Sequence, residues 1–160
     1  MSHLGMKILY GILNELPYAV CERVCMPWVD MLCELRKSNI PLCSLESHTP
    51  LSCFDIIGFT LQYEMSYTNV LEMMDLGGVP VLSSERGEDD PIVLAGGPCA
   101  FNPEPLHLFI DAFLIGDGED SIVEVTNVLN ACKKEGVPRA ERLKRLACCA
   151  ACTCPPLSRR

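Results

Sequence analysis

Two glycine turns carry the residues best suited to hold a ligand. Gly96-Gly97-Pro98 follows an apolar run, and a backbone without Cβ atoms can approach a flat or phosphorylated molecule closely. The same residues also make a tight strand-to-helix turn that needs no ligand. Gly116-Asp117-Gly118-Glu119 repeats the arrangement, with an acid placed to meet a ribose hydroxyl or nucleotide tail in front of a helix. The alternative there is simple capping by Asp117 and Glu119 against the helix dipole. Neither turn is a G-x-G-x-x-G fingerprint or a P-loop. His3, between Ser2 and the Leu4-Gly5 pair, stands where a helix starts and could face a cofactor or ligate a metal; capping or packing is its other reading. His48 falls in a polar loop and His107 in a helix, with no groups converging on either. Cys149-x-x-Cys152, with Cys148 and Cys154 beside it, offers half of a zinc or iron–sulfur site, but adjacent thiolates seldom both reach one metal. A zinc-binding tail is the weakest of the functions considered. No Ser/His/Asp or Cys/His arrangement is legible, and Glu88-Asp89-Asp90 lacks the alternating ligands of a calcium loop.

The elements that would position these residues alternate between helix and strand. Leu4, Ile8, Ile12 and Leu16 share one helical stripe over 3–16, which Pro17 stops. Residues 21–26 predict a short strand ending at Pro27, residues 30–38 a second helix, and Pro41 opens a brief extended piece. DIIGFTLQ (55–62) is a continuous apolar run of the kind buried on both faces of a sheet. Ser66 is placed to cap a helix that runs through Val70, Leu71 and Met74 to Gly77-Gly78. Residues 83–90 predict an exposed loop. Apolar strands follow at 91–97 and from 112, each ending in glycines. A helix with Ile122, Val125, Leu129 and Cys132 on one face finishes at Gly136, and a shorter basic helix follows Pro138.

This alternation predicts an α/β, Rossmann-like, doubly wound and mainly parallel sheet with helices on both faces. In such sheets the ligand sits beyond the carboxyl ends of the strands, where the two glycine turns fall. Such a sheet normally opens with a strand, and this chain opens with a helix. The expectation is therefore a fold missing its first strand, prone to self-association through the open edge.

Length and charge narrow the classes further. The 160 residues suit one domain, and 49% hydrophobic content supports a real core. No apolar run approaches the roughly 18 residues of a membrane span, and no signal peptide is legible, which predicts a cytoplasmic protein without a membrane partner. Residues 133–160 hold eight of the 13 Lys and Arg, for a net charge of +6, against −14 for residues 1–132. An acidic body repels a phosphate backbone, so no nucleic-acid partner is expected, and the basic tail is read as a solvated face. Eleven cysteines without a secretion signal argue against a disulfide framework. Cys21, Cys25, Cys33, Cys43, Cys53, Cys99 and Cys132 are expected as small buried hydrophobes.

SHLGMKILYGILN (2–14), ERVCMPWVDM (22–31), the passage 41–80, IVLAGGPCAFNPEPL (92–106) and DAFLIGDGEDSIVEV (111–125) closely resemble one group of proteins. They are the large radical S-adenosylmethionine (radical SAM) proteins with an N-terminal cobalamin-binding-like domain. The resemblance covers about residues 2–147, and its GGP-x-A-x-NPEP and IGDGE passages are its most specific motifs. It implies a domain that precedes a barrel, the partner absent from this chain, where a [4Fe-4S] cluster on a C-x3-C-x2-C motif cleaves S-adenosylmethionine. Here Cys148-x3-Cys152 is followed by Cys154, one residue short in the last gap, so neither cluster nor radical catalysis is carried over. Cobalamin is implied only in part. His3-Leu4-Gly5 lacks the preceding Asp and full spacing of D-x-H-x-x-G. Thr60-Leu61 stands near the place of a Ser-x-Leu motif, and Gly96-Gly97 matches the later glycine pair.

The glycine turns and the resemblance together mark His3, Gly5, Thr60, Leu61, Gly96, Gly97, Gly116, Gly118 and Glu119 as candidate cofactor-binding residues, with no catalytic or metal-ligating set. It divides the chain into a domain over 1–147 and a Cys/Pro/Arg-rich tail over 148–160, expected to be out of frame. The function implied is an accessory domain, a fragment of a radical SAM enzyme without catalysis of its own. The alternative is a stand-alone module binding a nucleotide-like ligand.

Overall fold

The computed structural model describes residues 4–149 and 152–153. The chain opens with helix α1 (Leu4–Glu15), passes through 16–28 without a regular helix or strand, and enters α2 (Val29–Ser38). It then alternates: β1 (Ile56–Thr60), α3 (Tyr67–Leu76), β2 (Ile92–Gly96), β3 (Ala112–Leu114), α4 (Gly118–Glu135), α5 (Arg139–Ala147) and a two-residue strand β4 (Cys152–Thr153). The sheet order is β1-β2-β3-β4, with β1, β2 and β3 parallel and β4 antiparallel to β3. The α/β, Rossmann-like class expected from the sequence is the one observed.

Alternation along the strands divides the core into two layers. Ile57, Phe59, Val93, Ala95 and Phe113 face α3 and the loops around it, joined by Val70, Met73 and Met74, while Leu32 and Leu35 of α2 pack against the same layer. Ile92, Leu94 and Ala112 face the other way, onto Val125 and Leu129 of α4 and Leu146 of α5. α1 packs on α4 and so belongs to the second face. Helices therefore cover both faces of the sheet.

Several expectations need correction. Residues 21–26 form no strand: the Arg23 amide donates to Glu46, its carbonyl accepts from Leu45, and among the described residues no neighbouring strand is present to ladder with. β1 is not buried on both faces. Ile57 and Phe59 are buried, but Gly58 on the opposite face is exposed, and a Cβ on it would meet nothing within 4 Å. Ser66 precedes α3 without a side-chain cap; its hydroxyl donates to the Tyr63 carbonyl instead, at 2.7 Å. His107 lies in a turn after a short 3-10 segment rather than in a helix. Of the seven scattered cysteines only Cys132 is buried, and Cys25, Cys33 and Cys53 are exposed. α2 carries Leu32 and Leu35 inward, which leaves Cys33 on its outer side. The polar stretch 83–90 is not uniformly solvated either, because Arg86 is buried.

Candidate functional site

Along the β1 side of the sheet lies an apolar groove of about 300 Å³. Its floor is the α1-side face of the strands: Ile56, Gly58 and Thr60 of β1, Leu94 and Gly96 of β2, and Leu114 of β3. Met6, Leu9, Tyr10 and Leu13 of α1 form one wall, Ile122 and Thr126 of α4 another, and residues 19–24 close the outer side. The groove reaches the carboxyl ends of the strands at Gly97, Gly116 and Gly118.

Five of the candidate residues read from the sequence thus meet on one cavity: Thr60, Gly96, Gly97, Gly116 and Gly118. The others do not line it. Leu61 is buried in the opposite layer of the core, Gly5 is exposed in the first turn of α1, and Glu119 is exposed at the start of α4. His3 lies outside the described residues, as do Cys154 and the rest of the tail beyond Thr153.

The glycines in this cavity have different reasons to be there. Gly97 has φ +99, and a Cβ on it would sit 2.9 Å from the Leu61 carbonyl oxygen. The same contact carries hydrogen bonds from the Leu61 amide to the Gly96 carbonyl and from the Cys99 amide to the Leu61 carbonyl. Its glycine serves the close approach of two chain segments, the ligand-free reading of that turn. Gly116 has φ +105 and open space around it, and Gly58 also faces open space. Asp117 makes no side-chain cap to α4; Glu119 and Asp120 fill the first turn, where the helix dipole favours acids.

Polar groups collect on the outer side. Hydrogen bonds from Ser44 and Ser47 hold the Glu22 carboxyl below its ordinary pKa, and the Arg23 amide and guanidinium do the same for Glu46. The Arg23 guanidinium stacks over Tyr10, 5.1 Å from the ring centroid. Burial raises the Cys21 thiol pKa, with Glu46 and Glu22 adding to the shift. Near the carboxyl ends, burial raises the Tyr67 hydroxyl pKa, and the neighbouring Cys99 thiol raises it further. His48 and His107 line neither this groove nor the second cavity at the other end of the sheet. Among the described residues no group of three or more His, Cys, Asp or Glu is placed to hold a metal ion.

The amino end of the sheet holds a charge cluster that sequence reading missed. One oxygen of Asp111 accepts from Arg86 at 2.8 Å, from Arg139 at 2.7 Å and from the Val93 amide at 2.8 Å. All three charged residues are buried. Arg86 also donates to the carbonyls of Pro80, Val81 and Phe109, and Arg139 to those of Asp90 and Pro91. Arg139 is thus no part of a solvated basic face. The available signal was Asp111 itself, a single acid inside the apolar run 106–114, where a buried charge needs a partner.

The family of radical SAM proteins, N-terminal, matches residues 5–155. The chain belongs to this radical SAM N-terminal family. The match continues past α5 into the Cys-rich tail, where Cys152–Thr153 pairs with β3. An uncharacterised protein of Methanocaldococcus jannaschii is 31% identical over 99 residues, or 60% of this chain and 21% of that relative. The chain therefore spans far less than the length of the curated relative it matches. No solved structure matches it. Among the described residues, no helix of this radical SAM N-terminal domain is long and apolar enough to cross a membrane.

Proposed function

We propose that the chain is the cobalamin-binding-like accessory domain of a radical SAM protein, without catalysis of its own. The observation that carries this reading is the meeting of Thr60, Gly96, Gly97, Gly116 and Gly118 at one groove end, beyond the carboxyl ends of parallel strands. In full-length radical SAM proteins an iron–sulfur cluster and S-adenosylmethionine perform the radical step, and the present domain packs beside that machinery.

The groove end fits part of a corrinoid. A Cβ at Gly116 would meet nothing within 4 Å, which leaves room for a flat ring edge. Leu94, Leu114 and Ile122 offer an apolar wall. The described residues around it supply no imidazole for cobalt, so the residues hold the group by shape and backbone. Bound there, a corrinoid supplies a cobalt centre able to carry an alkyl group. The nucleotide-binding alternative is less favoured, because Glu119 and Asp120 in the first turn of α4 repel a phosphate.

Titration of the 160-residue chain with aquocobalamin tests the reading. A saturable change in the corrinoid absorbance is expected, and Gly116→Val, which places a side chain in the open turn, should abolish it. No absorbance change and no binding heat would overturn corrinoid binding and leave a domain that only packs beside its barrel.

A further inference from the structure

We propose that Cys149 and Cys152 are a reversible dithiol–disulfide pair, a latch that fastens β4 to the end of α5. This inference goes beyond the accessory-domain reading and does not rest on corrinoid binding.

Backbone geometry supplies the first argument. The Cys149 amide donates to Leu146 at 3.0 Å as α5 ends, and the Cys152 amide donates to the Cys149 carbonyl at 3.1 Å. A bond to the carbonyl three positions earlier brings the two Cα atoms within about 7 Å. Disulfides span about 4.4–6.8 Å between Cα atoms, so a Cys149–Cys152 bridge falls in the range this bond allows. Cys148 is a poor partner for Cys149, because neighbouring Cα atoms stand only about 3.8 Å apart. The sheet holds the far side of the pair: Cys152 lies opposite Leu114 of β3, and Thr153 opposite Phe113. Leu114 also lines the groove, so the pair sits beside the strand that leads into the Gly116 turn.

The surroundings of the two sulfurs supply the second. Both are thiols; Cys149 is buried, and half-buried Cys152 packs on the core layer that contains Leu146. The Cys149 thiol donates to the Arg145 carbonyl at 3.7 Å, and its sulfur accepts from the Cys152 thiol. Burial, followed by the Glu124 carboxylate, pushes the Cys149 thiol pKa up. A buried thiol of this kind is inert toward an incoming reagent, which leaves Cys152 as the point of entry.

The oxidant is a low-molecular-weight disulfide such as glutathione disulfide. The Cys152 thiolate attacks one sulfur of that disulfide, forms a mixed disulfide and releases one thiolate. The Cys149 thiolate then attacks the Cys152 sulfur, the bridge forms, and a second thiolate leaves. The two protons lost by the cysteines end on the two released thiols. Both cysteine sulfurs are oxidised, and the small disulfide is reduced.

The experiment equilibrates the 160-residue chain with mixtures of glutathione and its disulfide, blocks remaining thiols, and digests with trypsin. Fragment 146–159 carries Cys148, Cys149, Cys152 and Cys154, and its fragmentation spectrum locates any bridge. A Cys149–Cys152 bridge is expected. Its equilibrium constant should be at least about tenfold larger in the folded chain than in urea, since a fold that favours the bridge is favoured by it to the same extent. Cys149→Ser should stop at a glutathione adduct on Cys152, whereas Cys152→Ser should leave Cys149 a thiol. An equal or smaller constant in the folded chain would overturn the latch, as would a bridge to Cys148 or Cys154 in place of this one. Cys149 that takes up glutathione as fast as Cys152 would overturn the order of attack. Zinc held by both thiols against a chelator would make the pair half of a metal site, and the latch would fail on that result too.

Discussion

At the amino end of the sheet, Asp111 is surrounded by Arg86, Arg139 and the Val93 amide, and the arginines spend their remaining donors on backbone carbonyls. Along β1, by contrast, the strand has no neighbour on its outer edge among the described residues, Gly58 faces space, and α1 buries none of its residues despite its apolar sequence. Burying charge is costly unless every group is paired, and the first region meets that condition within the chain. The second region is apolar surface without its cover. The closed end holds the loops before β2 and β3 in place, while the open side leaves apolar groove surface uncovered among the described residues.

Substitutions from the closed end outward should separate the two regions. Asp111→Ala should have the largest effect, because it leaves two buried guanidinium groups with no anion between them. Burial alone already pushes the Arg86 pKa down, against the pull of Asp111. A loss of about 3–5 kcal/mol in denaturant unfolding is expected; a loss below about 1 kcal/mol would show that water enters this end and that it is not closed. Gly97→Val comes next, at the carboxyl end of β2 where the groove meets the core around Leu61. Its φ of +99 and a Cβ 2.9 Å from the Leu61 oxygen combine backbone strain with overpacking. About 2–4 kcal/mol should be lost in the same unfolding measurement.

Legibility in the sequence followed the same division. Helices α1, α2, α4 and α5 and the runs leading into β2 and β3 were readable because apolar spacing and Pro or Gly stops act locally. The glycine turns were readable as neighbours on one groove because parallel strand ends place them together. Arg86, Asp111 and Arg139 were not, since partners 25 and 28 residues apart meet only through tertiary packing. Residues 21–26 have a strand's composition, but a strand exists only beside a hydrogen-bonding neighbour, and none is present among the described residues.

Acid should loosen the open side before the closed one. Glu22 and Glu46 tie the segment 21–24 to the loop 44–49, and both carboxyls have folded-state pKa values below the ordinary one. Their contribution is present above the unfolded carboxylate value, about 4.3, and is lost as pH falls through the depressed folded values. Exchange of the Arg23 and Leu45 amides should therefore accelerate below about pH 4, ahead of the Val93 amide. Simultaneous loss at all three sites would mean that the two regions unfold as one.

The smallest effect is expected at Gly58. In the middle of a strand a glycine is ordinarily a weakness, and valine has the higher strand propensity. Gly58 has no positive φ, and a Cβ placed on it meets nothing within 4 Å. Gly58→Val should therefore shift stability by no more than about 0.5 kcal/mol, in either direction. The contrast with Gly97→Val separates glycine kept for a close approach within the chain from glycine that faces an open groove. A loss of about 2 kcal/mol at Gly58 would mean that α1 closes over β1 more tightly in solution, filling the space above the strand. The groove would then be no wider than the domain's own packing, and no ligand could enter it.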